Sequence, residues 1–212
     1  MNRFVWNLRY PGAEDIAGHP TRHSKNIGPY ALPGKYQVEL VVDGKSQTQN
    51  FEIVKDPNSQ ATQEDLKSQF DRIIAIRDKI TQVNRMVLTL RDLRKQLNEV
   101  AASAPTLQGK AEGLKHKLFA MEDILIQYKA TFRMQLHAMP VKLDDKLYTL
   151  AGHVLKGEAR PTRAQENLFA EHIITFNSVR DQLNDFIKSD LTDFNTAAKR
   201  IGVKSVIIPK LP

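Results

Sequence analysis

The most constraining feature of this chain is an apolar seam that keeps helical spacing from Leu66 to Val100. Leu66, Phe70, Ile73, Ile80, Val83, Val87, Leu90, Leu93, Leu97 and Val100 recur at steps of mostly three and four, and Ile74, Ile76 and Leu88 widen the stripe. That period is one face of an α-helix sustained over about ten turns. Thr62-Gln63-Glu64-Asp65 supplies a capping box at its start, and AASAPTLQG, with Pro105 and Gly109, breaks it. A helix of about 40 residues reaches ~60 Å, so its wide apolar face needs neighbours along the whole length.

The rest of the chain offers those neighbours. A second helix is predicted from about Gly109 to Leu136 on Leu114, Leu118, Met121, Leu125, Tyr128 and Phe132. Pro140 interrupts, and a shorter helix over Leu143 to Leu155 carries Leu147, Leu150, Ala151 and Val154. After the loop Lys156–Pro161, Thr162-Arg163-Ala164-Gln165 repeats the capping box. A last long helix then runs to about Ile201 on Leu168, Ile173, Phe176, Leu183, Ile187, Leu191, Phe194 and Ala198, and Gly202 closes it. The breaks at Pro105 and Pro161 let the chain fold back, which favours a bundle over a continuous two-stranded coiled coil. The expected class is α+β, mainly α: an elongated antiparallel bundle of two long helices and two shorter ones in three layers.

Before Pro57 the period is two. Phe4, Trp6 and Leu8 alternate with Val5, Asn7 and Arg9 and read as a strand with one buried face. Four glycines and four prolines follow between Pro11 and Gly34. Tyr36, Val38, Leu40 and Val42 then alternate along a second strand. Asp43-Gly44 is a two-residue hairpin signal, and the return strand spans roughly Ser46 to Val54. Three strands are too few for an immunoglobulin-like sandwich, which takes about seven. The β segment therefore either lacks its other strands or covers its apolar face with the helices. The second option makes Trp6, Tyr36 and Phe51 the β–helix junction. If Trp6 is buried there, Trp6→Ala costs about 3–5 kcal/mol. The chain thus divides into a partial β segment (1–57), a helical bundle (58–202) and a tail (203–212) whose Ser205-Val206-Ile207-Ile208 run could add a strand.

Composition narrows the function classes. No stretch approaches ~18 consecutive apolar residues, so no transmembrane helix is expected. MNRFVWNLRY has no apolar core of the signal-peptide kind. The chain has no cysteine, which excludes disulfides, thiolate ligands and a cysteine nucleophile. The net charge is +7, of which +6 falls after residue 57. Acids are interspersed along the same faces, as in RDLRKQLNE at 91–99, so the excess reads as solvated helix faces rather than a nucleic-acid footprint. Only the last fourteen residues, with Lys199, Arg200, Lys204 and Lys210, carry one sign.

No catalytic constellation emerges. His19 and His23 have a helical metal-ligand spacing, but Gly18 and Pro20 place them in a loop. His116, His137, His153 and His172 are scattered, and none forms HExxH. Glu14-Asp15, Glu122-Asp123 and Asp144-Asp145 are adjacent pairs; neighbours on a helix diverge by about 100°, so surface solvation is the favoured reading over glycosidase chemistry. GxSxG, phosphate-loop and GxGxxG patterns are absent. No cofactor and no metal is expected.

The segments MNRFVWNLRYPGA, LPGKYQVELVVDGKSQTQNFEIVKDPNSQATQEDL and FDRIIAIRDKI, then PVKLDDKLYTLAGHVLKGEARPT and DLTDFNTAAKRIG, carry a resemblance that covers nearly all of the chain. They resemble the C-terminal region of bacterial propeller proteins with sortilin-like, neuraminidase-type (Asp-box) repeats, often labelled glycosyl-hydrolase-like. The resemblance implies that the β segment is the end of an immunoglobulin-like domain, similar to the flagellar hook-cap type, with its earlier strands upstream. It implies an exported parent, extracellular or periplasmic. No Asp-box motif occurs here, and no catalytic residue carries over. The expected function is a non-catalytic C-terminal accessory or interaction module, with the upstream propeller of the same parent or another exported protein as partner. A fragment of an exported glycosidase or peptidase with its active site upstream is the alternative, and a basic nucleic-acid or anionic-surface binder the second.

Overall fold

The computed structural model describes residues 3–20 and 28–208. It is α+β and mainly α. A hairpin, β1 (Gly34–Val42) and β2 (Lys45–Ile53), precedes α1 (Gln63–Ser103), α2 (Gln108–Leu125), a one-turn α3 (Arg133–Leu136), α4 (Leu143–Val154), α5 (Arg163–Phe186) and α6 (Thr192–Arg200). Both predicted capping boxes form: Thr62 closes on Asp65 at the head of α1, and Thr162 on Gln165 at the head of α5.

Side-chain links fix the directions of the helices. Arg72 pairs with Glu166, and Gln96 reaches Ile207, so α1 and the α5–α6 rod run parallel. Arg91 meets Glu122 on α2, and Gln69 meets Val154 at the end of α4, so both shorter helices run back along α1. They lie end to end, α4 on the N-terminal half and α2 on the C-terminal half. The core is the seam read from the sequence: Ile73, Ile76, Ile80, Val83, Val87, Leu90, Leu93 and Leu97 are fully enclosed, joined by Met86. Leu88, expected to widen the stripe, is exposed.

Between α5 and α6 the five-residue π turn Ile187–Leu191 replaces regular α geometry. The buried positions Phe176, Val179, Leu183 and Phe186 step by three and four, then jump five residues to Leu191 before Phe194 and Ala198. A wide turn takes up that one extra residue and keeps both halves of the rod facing the core. The Thr192 hydroxyl donates to the Ile187 carbonyl at 3.0 Å across it.

Three sequence expectations are corrected. The second helix stops at Leu125 rather than Leu136: Ile126 turns extended and is fully buried, while Gln127, also buried, donates to the Pro140 carbonyl at 3.4 Å. Burial of Ile126 against the bundle overrides helix propensity there, and Phe132, assigned to the apolar stripe, is exposed. No strand forms at Phe4–Leu8. The Asn7 side chain accepts from the Arg9 N–H at 3.1 Å, the Trp6 indole donates to the Arg9 carbonyl at 2.9 Å, and Leu8 takes φ 59°. That local turn competes with a ladder; among the described residues only the Arg9↔Tyr30 bridge forms there. Finally, the described part of the tail, 203–208, joins no strand and lies instead against α1 and α6. Residues 209–212, including Lys210, lie outside the described residues.

Candidate interaction surface

The hairpin turns on Asp43 and Gly44, both at positive φ (48° and 76°), as a type I′ turn demands. Its register pairs Val42 with Lys45, Leu40 with Gln47, Val38 with Gln49 and Tyr36 with Phe51. With a two-residue turn the closing pair is hydrogen-bonded, so Tyr36, Val38, Leu40 and Val42 aim their backbone groups at β2. Lys35, Gln37, Glu39 and Val41 aim theirs outward. On β2 the outward set is Ser46, Thr48, Asn50 and Glu52. Among the described residues the sheet has two strands, so both edges are unpaired.

One face of this ribbon carries an apolar row on β1: Tyr36, Val38, Leu40 and Val42 share it with Phe51 and, toward the turn, with Gln49, Gln47 and Lys45 of β2, and Val38 and Leu40 are 51% and 62% exposed. Trp6 sits at its root, with ring centroids 6.2 Å from Tyr36 and 6.3 Å from Phe51, while Tyr36 and Phe51 stack at 5.8 Å. The structure thus brings Trp6, Tyr36 and Phe51 together, on the hairpin itself. Trp6 remains 36% exposed, which corrects the burial assumed for it.

The ring contact with a helix falls to Tyr10, packed edge-on against Phe70 of α1 at 5.2 Å. Tyr10 is held by its N–H to the Pro29 carbonyl at 3.0 Å, and Gly28 is so close to it that a Cβ there would lie 1.7 Å from the Tyr10 carbonyl oxygen. Beyond this root neither strand shares an extended contact with any helix. Between the root and the bundle lies a cavity of about 590 Å³, lined by Leu8, Leu32, Ile53, Leu66, Phe70 and Leu155 among others. Sequence reasoning missed Tyr10, whose only signal is an aromatic next to Pro11 at the start of the turn-rich stretch.

The N-terminal segment is fastened farther along. Ile16 is 4% exposed in the bundle core, Asn84 donates to the Glu14 carbonyl at 2.6 Å, and the Glu14 carboxylate pairs with Arg85, which lowers its pKa. The Tyr148 hydroxyl donates to Asp15 at 3.4 Å. Burial and the negative charges of Asp15 and Asp144 raise the Tyr148 pKa well above that of a free phenol, so it stays a neutral donor. His19 Nε2 lies 3.8 Å from Asp144; His23 lies outside the described residues. Among the described residues no group of three or more histidine and carboxylate side chains is placed to hold a metal.

The carboxylate pairs need a correction as well. Glu122, Asp144 and Asp145 are buried, not solvated. Glu122 is enclosed because Arg91 and Arg94 neutralise it across the α1–α2 seam. Asp144 and Asp145 occupy the first turn of α4, where the helix dipole favours negative charge.

The chain matches no protein-family model, no curated protein and no solved structure. No helix among the described residues is long and apolar enough to cross a membrane.

Proposed function

We propose that this chain is a non-catalytic interaction module in which the bundle is a self-contained spacer and the hairpin is the docking element. The observation that carries the reading is the hairpin itself: two nine-residue strands whose edges, among the described residues, are both unpaired, with an exposed apolar row on β1 that no described helix covers. Such a ribbon is marginal alone, and an uncovered face with open edges calls for added strands. A β-sheet that lies across Tyr36, Val38 and Leu40 and pairs at the outward groups of β1 satisfies both needs. By the sequence resemblance, that sheet is the remainder of an immunoglobulin-like domain in an exported sortilin-like propeller parent.

The test is hydrogen exchange on the chain mixed with the upstream β and propeller portion of such a parent. Protection at Lys35, Gln37, Glu39 and Val41, lost in Leu40→Lys, is the expected result. Unchanged exchange along both strands contradicts docking. Sugar release or peptide cleavage by the purified chain, abolished by one carboxylate substitution, contradicts the non-catalytic reading.

A further inference from the structure

Helix α6 closes in a Schellman turn. Gly202 takes φ 73°, its N–H donates to the Lys199 carbonyl at 3.1 Å, and the Val203 N–H donates to the Ala198 carbonyl at 3.1 Å. The turn sends the chain back over α6 toward α1, where two side-chain amides meet it. Asn195 of α6 accepts the Val206 N–H at 2.8 Å and donates to the Val206 carbonyl at 2.9 Å. Gln96 of α1 accepts the Ile207 N–H at 2.7 Å and donates to the Ile207 carbonyl at 3.4 Å. Asp92, one turn earlier on α1, accepts from the same Gln96 amide at 2.7 Å and orients it.

Two successive residues therefore have both backbone groups read by side chains carried on helices, Asn195 on one side and Gln96 on the other, as strands flanking the segment on both sides would read them. Val206, 3% exposed, is the segment's buried anchor in the core and Val203 packs partly against it, whereas Ile207 and Ile208 remain 65% and 49% exposed. We propose that the groove between the C-terminal half of α1 and α6 is a recognition site for an extended peptide with a β-branched apolar anchor, and that residues 203–208 are its resident occupant. The contacts select backbone conformation and one small apolar side chain, so they suit any extended segment of the Ser-Val-Ile kind. The resident segment holds the site through its short tether, which gives it an effective concentration in the millimolar range. Held by Val206, the partly buried Val203 and the two side-chain amides, it opens without unfolding the bundle.

The test uses the full chain with Val206→Asp, which expels the resident anchor and leaves the groove intact. A fluorescein-labelled peptide Gly-Val-Lys-Ser-Val-Ile-Ile is titrated by anisotropy. Saturable binding is expected, about tenfold or more weaker to the unsubstituted chain, whose groove is filled, and about tenfold weaker again when Asn195→Leu is added. No saturable binding up to about 1 mM peptide to a helical Val206→Asp chain overturns the proposal. Should that variant not fold, hydrogen exchange on the unsubstituted chain decides. The Val206 and Ile207 amides are expected to exchange at least about tenfold faster than those of Leu90 and Leu93. Equal rates mean that the tail opens only with the bundle, and the proposal fails.

Discussion

Removing the Glu122 carboxylate is the sharpest perturbation of the bundle. Its side chain is 1% exposed; Arg91 donates to it at 2.7 Å, and the Arg94 guanidinium, itself 12% exposed, is held against it. Arg94 also lies over the Phe119 ring at 3.8 Å, which shields much of it from water. Glu122→Ala leaves that charge enclosed without its counter-ion, a change that costs about 3–5 kcal/mol. Set against a total stability of about 5–15 kcal/mol, that is about a fifth or more of the margin. At about 2–4 °C per kcal/mol for a chain of this size, Tm falls by roughly 6–20 °C. The assay is urea and thermal denaturation followed by helical circular dichroism. Glu122→Gln retains shape and a hydrogen-bond acceptor and costs less, about 1–3 kcal/mol. Joint replacement by Glu122→Leu and Arg94→Leu brings stability back to within about 1 kcal/mol of the starting chain, because no buried charge remains. A Glu122→Ala loss below about 1 kcal/mol would refute the reasoning: the pair would then have been solvated after all.

The other predictions concern the hairpin root and pH. Gly28→Ala forces its Cβ onto the Tyr10 carbonyl and is expected to weaken the hairpin root by about 1–3 kcal/mol, seen as an earlier Trp6 fluorescence transition with the helical transition unmoved. Trp6→Ala leaves the helical urea transition within about 0.5 kcal/mol, since the indole touches the hairpin rather than the bundle. A shift of about 3 kcal/mol would place Trp6 in the core. Burial, reinforced by the Lys146 charge, lowers the His172 pKa below its unfolded value near 6.5. The unfolded chain then binds the proton more readily, so this contribution is complete above about pH 6.5 and lost as pH falls from there through the lower folded pKa. His172→Gln is expected to flatten the stability slope between about pH 7 and 5, and an unchanged slope would remove His172 from the account.

The helical half of the architecture is legible wherever a long period outweighs local detail. The seam from Leu66 to Val100 and the Thr62 and Thr162 boxes specify α1 and the start of α5 by direct short-range chemistry. Even the π turn has a trace in sequence, the five-residue step from Phe186 to Leu191, although Ile187 between them disguises it. The failures share one cause, which is competition decided by distant or very local partners. Ile126 leaves its helix to bury itself, and no glycine or proline announces the exit. Asn7 folds a turn into what alternation marks as a strand. Glu122 looks like any surface acid until Arg91 and Arg94 arrive from a helix some thirty residues earlier. The apolar row of the hairpin was readable as the alternation of Tyr36, Val38, Leu40 and Val42. Its isolation from the bundle was not, because that depends on Tyr10, rather than Trp6, making the ring contact with α1.

The central claim, a self-sufficient bundle bearing an open hairpin, is tested most directly by one urea titration read with two probes. Trp6 is the only tryptophan in the chain and sits on the hairpin, while helical circular dichroism reports the bundle. The account predicts separate transitions, with Trp6 fluorescence changing at lower urea and the helical signal persisting. Coincident midpoints and slopes for the two probes would contradict it, because hairpin and bundle would then fold as one cooperative unit.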